Sequence, residues 1–129
     1  MIKTINGLVL KDKKLLLFKE NLTWILPGGK PQNGESDIET LLREFKEEAS
    51  GAEINIRKYY GSFMGLSPHS FKLIESVSYF ADLKRPDAIL VPSNEINEIL
   101  FAGYFAVGKL QVSDITKKVI LNLTKKGYM

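Results

Sequence analysis

Glu44, Glu47 and Glu48 fall in one short stretch, Arg43-Glu-Phe-Lys-Glu-Glu48. In a helix they occupy positions i, i+3 and i+4 and share one face. Like charges so placed repel one another, and a solvated helix gains nothing from them. A hard divalent cation reverses that sign, because Mg²⁺ and its relatives take oxygen ligands. The spacing therefore reads as a metal site built on a helix. Just upstream, Pro27-Gly28-Gly29-Lys30 places two glycines where a ligand can approach the main chain, with a lysine beside them that could contact phosphate.

The rest of the composition narrows the chemistry by exclusion. The 129 residues contain no cysteine, so disulfides, thiol catalysis and zinc-thiolate sites are out. The single histidine, His69, leaves no multi-histidine metal cage, and its Ser/Pro/Gly setting reads first as an exposed loop. Residues 35 to 48 hold six acids and two bases, a local charge of −4 in a chain whose net charge is +3. An acidic pocket in a basic body suits a cation plus an anionic ligand drawn in by the surrounding field. No Lys/Arg run exceeds two residues, so a nucleic-acid polymer is not the expected partner. The longest stretch without a formal charge, Tyr59 to Phe71, is too short for a membrane span, and the first residues carry no secretory signal pattern. A cytoplasmic protein, monomer or homodimer, is expected.

The elements that must position the acids can be read from periodicity. Thr4 to Leu10 and Lys14 to Lys19 are apolar and β-rich, joined by Lys11-Asp-Lys as a hairpin, and Leu22 to Leu26 forms a short strand ending at the glycines. Ser36 with Glu39 makes a capping box, and the helix runs to about Ala49 with Gly51 as a left-handed cap. Its buried stripe is expected at Ile38, Leu41, Leu42 and Phe45. Strands follow near Ala52 to Met64, Phe71 to Leu83 and Ile99 to Val107, then an amphipathic closing helix from Val112 to Lys126. Strands interleaved with two helices give a mixed α/β sandwich, and residues 1–129 read as one domain.

Gly29, five residues, Glu35, seven residues, then Arg43-Glu44-Phe45-Lys46-Glu47-Glu48 resembles the Nudix box, G-x5-E-x7-R-E-U-x-E-E-x-G-U with U apolar. Trp24-Ile-Leu-Pro-Gly-Gly is similar to the family's usual entry into the box. The tail departs from the pattern: Ser50 falls where glycine is expected, and Gly51 where an apolar residue is expected. The resemblance implies an α/β/α sandwich with a mixed, curved β-sheet between helices. It also implies metal-dependent hydrolysis of a nucleoside diphosphate linked to another group, by attack of water on phosphorus.

Carried over by position, the resemblance makes Glu47 and Glu48 ligands of Mg²⁺ or Mn²⁺, with the main-chain carbonyl of Gly28. Glu44 becomes a further ligand or the general base, Arg43 holds a carboxylate in orientation, and Glu35 braces the loop. An acid beyond the box completes such sites. Glu95 and Glu98 are the candidates, with Glu98 favoured because it stands six residues before the aromatic pair Tyr104-Phe105. Lys30, Trp24 and Tyr104 are the candidate substrate contacts, Trp24 and Tyr104 competing with a core reading. The short chain favours conversion of a (deoxy)nucleoside triphosphate to monophosphate and pyrophosphate, the nucleotide-pool sanitising type. The alternative substrates are ADP-ribose, another nucleotide sugar or a dinucleoside polyphosphate; Pro68, seventeen residues past Gly51, comes near the proline typical of the ADP-ribose branch. A silent nucleotide-binding module ranks below both, because Glu44, Glu47 and Glu48 are all present.

Overall fold

A computed structural model describes residues 1–129. The order of elements is β1 (Ile2–Leu8), β2 (Leu10–Lys11), β3 (Lys14–Glu20), β4 (Thr23–Ile25), β5 (Gly28–Gly29), α1 (Asp37–Glu48), β6 (Ile54–Leu66), β7 (Leu73–Leu83), β8 (Ile96–Ala102), α2 (Tyr104–Val107) and α3 (Asp114–Lys125). The expected hairpin is divided between two sheets. β1 joins a mixed sheet of order β5-β1-β7-β6, parallel to β7 and antiparallel to β5. Only Leu10 and Lys11 turn back on β3, across Asp12 and Lys13 in the left-handed region. β3 in turn pairs with β4 and β8 in the second sheet. One strand thus passes from sheet to sheet at Val9, and the core forms at the crossing.

Alternation along the strands assigns their side chains to two apolar clusters. Leu15 and Leu17 of β3, with Ile74 and Phe80 of β7, face α3 through Ile115, Val119, Ile120 and Leu123. Leu16 and Phe18, with Val77 and Ala81, face α1 through Leu41 and Phe45. Both parities of each strand are buried, the pattern of sheets covered on both faces by helices. The architecture is an α/β/α sandwich, as the sequence leads one to expect. Phe45 is fully buried with its ring 5.5 Å from that of Phe18, so truncating it to Ala costs about 3–5 kcal/mol.

The capping box forms as read: Ser36 accepts the Glu39 amide, and the Glu39 carboxylate accepts the Ser36 amide. The buried stripe is rotated from its expected position. Ile38 is exposed, whereas Thr40, Leu41, Phe45 and Glu48 are buried. Glu44 and Glu48 face the glycines of β5, Glu47 stays exposed, and this rotation makes the site. Ile99 to Val107 is not one strand. β8 ends at Ala102, Gly103 caps the single turn of α2, and Tyr104 and Phe105 stand on that turn. No helix is long and apolar enough to cross a membrane.

Candidate active site

β1 holds the site's floor in place. Asn6 pairs with Gly28 in the sheet and donates through Nδ2 to the Pro27 carbonyl, fixing the glycine turn. Gly28 has φ +136°, and a Cβ there would lie 1.9 Å from the Ile5 carbonyl oxygen, so only glycine fits. Its amide donates to Glu48 Oε1 at 3.0 Å, the one hydrogen bond that ties the box helix to the glycine strand through a buried carboxylate. Glu48 is 2% exposed, and burial pushes its carboxyl up to about 9 against the opposing pull of the Gly28 amide.

One oxygen each from Glu44, Glu48 and Glu95 lie within 4.8 Å of one another. Glu44 is raised by burial above the ordinary carboxylate range, with Arg43 pulling the other way. Three converging carboxylates, one of them buried without a basic partner, are an unfavourable arrangement on their own. A hard divalent cation fits this donor set, since it supplies the missing positive charge to oxygen ligands.

Glu95 and not Glu98 stands in the cluster, correcting the preference drawn from spacing. Glu98 lies within β8 opposite Lys19, and its carboxylate pairs with Lys19 Nζ at 2.9 Å, 57% exposed. Glu95 precedes that strand, in the turn that points back to α1. Glu47 is likewise outside the cluster. Adjacent residues on a helix diverge by about 100°, so Glu47 cannot share the direction of Glu48. It turns to Arg43 instead, with contacts of 3.3 and 3.4 Å.

Arg43 is the hub of the box. Its Nε reaches Glu35 Oε2 at 2.6 Å and its Nη2 reaches Glu35 Oε1 at 3.0 Å, a fork-to-fork pair. Nη1 donates to Glu44 Oε1 at 2.8 Å, and Nη2 also to the Lys30 carbonyl at 3.1 Å. Glu35 therefore sits well below the ordinary carboxylate range, at about 2, chiefly through Arg43 and then the Gln32 amide. The loop from Gly29 to Glu35 is thereby fastened to the helix that carries the acids.

The carboxylates line a cleft of about 390 Å³ whose walls include Lys30, Ile2, Ile74, Ile115 and the Ser67 to Ser70 loop. Two of the candidate substrate contacts lie elsewhere. Trp24 is 7% exposed in the core between β3 and α3, where stacking on a base is closed to it. Tyr104 lines a separate hollow with Leu110, Lys117 and Leu121, because α2 is carried away from the cleft. Sequence reasoning also missed Glu20. It ends β3, lines the cleft, and has its Oε1 2.6 Å from Nε2 of His69. Burial raises the Glu20 carboxyl. No local pattern marks this pair, since Glu20 ends β3 and His69 lies far along the chain in the turn between β6 and β7.

The NUDIX domain family model matches residues 3–123, nearly the whole chain. The chain belongs to the Nudix family. No curated protein matches the sequence. Among solved structures, a Nudix hydrolase from Nitrosomonas europaea aligns at TM-score 0.80 and 16% identity, covering 97% of this chain and 89% of that one. The MutT protein of Methanosarcina mazei Go1 aligns at 0.78 and 19%, covering 97% and 94%. An ADP-ribose pyrophosphatase from Streptococcus suis aligns at 0.69 and 19%, covering 95% and 87%. At these identities the likeness shows a shared fold and leaves the substrate open. As a Nudix hydrolase the protein acts on nucleoside diphosphate-linked compounds, cleaving an acid anhydride.

Proposed function

We propose that the protein hydrolyses a (deoxy)nucleoside triphosphate to the monophosphate and pyrophosphate with Mg²⁺ or Mn²⁺, in the cytoplasm. The observation that carries the site assignment is the convergence of Glu44, Glu48 and Glu95 beside the Gly28-Gly29 backbone. These three carboxylates would hold the cation with the Gly28 carbonyl, and Glu47, held outside the cluster by Arg43, would join the shell by exchanging that contact for the cation. A bound divalent cation neutralises phosphate oxygens and makes water more acidic.

The chain's own residues supply the rest. Water attacks a phosphorus of the diphosphate, the bridging P–O bond breaks, and the water's proton needs an acceptor. Glu44 keeps Oε1 on Arg43, and its Oε2 would either ligate the cation or take that proton. Arg43 holds Glu35, Glu44 and Glu47 in one fan, so the glycine loop and the helix move as a unit. Lys30, at the rim of the cleft, meets the outer phosphates.

A cleft of about 390 Å³ is large enough to seat a nucleotide. One observation favours a second substrate, ADP-ribose: Pro68, near the position typical of that branch, lines the cleft. Purified protein incubated with Mg²⁺ and a panel of triphosphates, ADP-ribose and dinucleoside polyphosphates decides between them by anion-exchange product analysis. Monophosphate and pyrophosphate from triphosphates support the first reading. Turnover of ADP-ribose alone rejects it for the second.

A further inference from the structure

The irregular tail of the Nudix box has a structural counterpart at the end of α1. Ser50, in the place of the expected glycine, has φ 47°, the left-handed region that a helix ending usually gives to glycine. Half of the glycine-type ending is present, for the Gly51 amide donates to the Lys46 carbonyl at 2.7 Å. The other half would run from the Ser50 amide to the Glu47 carbonyl. The Ser93 hydroxyl is inserted in that bond. Its Oγ accepts the Ser50 amide at 2.8 Å and donates to the Glu47 carbonyl at 2.5 Å. Asn94 Nδ2 gives the same carbonyl a second donor at 3.0 Å, and the Ser93 amide donates to the Glu48 carbonyl at 3.0 Å.

Four hydrogen bonds thus join Ser93 and Asn94 to the last turn of α1. The carbonyls they hold belong to Glu47 and Glu48, and the residue that follows them is Glu95. The clamp therefore spans the two sides of the carboxylate cluster, one carried by a helix and the other by a turn. The Ile96 amide closes that turn onto the Ser93 carbonyl at 3.1 Å, and Asn94 holds φ 53° within it. Glu95 comes from a separate segment of chain, so its distance from Glu44 and Glu48 is set by whatever fastens that turn to α1.

We propose that Ser93 and Asn94 are positioning residues for the cation site. They hold Glu95 at the separation from Glu44 and Glu48 at which one divalent cation takes all three carboxylates. The proposal rests on the reading of Glu95 as a ligand. Groups that orient metal ligands typically contribute about 10- to 100-fold in affinity, although Ser93 and Asn94 act through the backbone rather than on the carboxylate itself.

The test measures Mn²⁺ affinity by the electron paramagnetic resonance signal of the free ion, at a temperature where circular dichroism shows each variant folded. Ser93→Ala/Asn94→Gly is made in the parent and in a Glu95→Gln background; glycine at position 94 accepts the left-handed backbone. The expected result is about 10-fold weaker Mn²⁺ binding in the parent background and less than about two-fold further loss once Glu95 is gone. Parent-like affinity in the folded clamp variant overturns the proposal. So does an equal loss in both backgrounds, which makes the clamp a brace for α1 alone. If Glu95→Gln itself binds Mn²⁺ like the parent, the ligand reading fails first and the proposal with it. Should the double variant not fold, Ser93→Ala is compared with Ser93→Thr, which keeps the hydroxyl. Weaker binding in the first only is expected, and parent-like binding by Ser93→Ala overturns the proposal.

Discussion

Gly29 and Glu44 are in contact so close that any side chain at position 29 displaces the Glu44 carboxylate. A Cβ on Gly29 would lie 2.6 Å from Glu44 Cδ and 2.8 Å from each carboxylate oxygen. The obstacle is the far end of a side chain, so Gly29→Ala is accommodated by moving the carboxylate. Activity is expected to fall about 10²-fold, the scale of losing one positioned charged group, with only a small change in melting temperature. Gly28→Ala should do the opposite damage. Its Cβ meets the main chain of Ile5 at 1.9 Å, and φ +136° strains any other residue, so the fold itself should lose about 2 kcal/mol or more. Comparing kcat/KM and thermal melts of the two variants checks both statements.

Buried Glu48 sets a cost on the cation-free protein. Between the ordinary 4.5 and about 9, the unfolded chain has released this proton and the folded chain retains it. The unfolded state then binds fewer protons, so this group lowers stability as pH rises through that window. Glu48→Gln keeps an acceptor for the Gly28 amide and removes the titration. In EDTA at pH 8 it should melt about 3 °C or more above the parent, while the stabilisation of the parent by Mn²⁺ should vanish in the variant. Differential scanning calorimetry at pH 5.5 and pH 8 measures both, and the gain should be smaller at the lower pH.

Glu35 behaves in the reverse sense. Arg43 holds its carboxyl at about 2, so its contribution is present above the unfolded value of 4.5 and is lost as pH falls from there toward 2. Glu35→Gln should flatten this acid limb of the melting-temperature profile. It should also loosen Arg43, with a fall of about tenfold in kcat as Glu44 and Glu47 lose their common partner. A profile from pH 2 to pH 5 that superimposes on the parent's contradicts the assignment.

Glu47→Gln should lower kcat by about 10²-fold or more, although Glu47 lies outside the three-carboxylate cluster. Glu95→Gln should lower activity by a similar factor, and Glu98→Gln, which removes only the exposed pair with Lys19, should leave it within about twofold. Steady-state rates at saturating Mg²⁺ separate the three.

What was legible in the sequence was what local chemistry encodes. Ser36 and Glu39 mark the start of α1 because a capping box is made within four residues. The spacing of Gly29, Glu35, Arg43, Glu44 and Glu48 marks the site because one helix and one loop hold them. What depended on distant partners was misread. Ile38 fits a helical stripe, yet the glycines of β5 draw the Glu44 and Glu48 side inward and leave Ile38 exposed. Glu98 precedes an aromatic pair at the expected distance, but pairing of β8 with β3 delivers it to Lys19. The aromatic residues divide: Trp24 takes its core reading, packed with α3, whereas Tyr104 is neither core nor cleft, left exposed on the single turn that Gly103 starts and no motif records.

The dependence of hydrolysis on both the cation and Glu48 gives the most direct test. Initial rates on the best substrate of the panel are measured in EDTA and over a Mg²⁺ titration, for the parent and for Glu48→Gln. The expected result is no turnover by the parent in EDTA, saturable activation by Mg²⁺, and a loss of about 10²-fold or more in the variant at every Mg²⁺ concentration. Turnover in EDTA equal to that with Mg²⁺, or a variant within a few-fold of the parent, would contradict a catalytic cation held by these carboxylates.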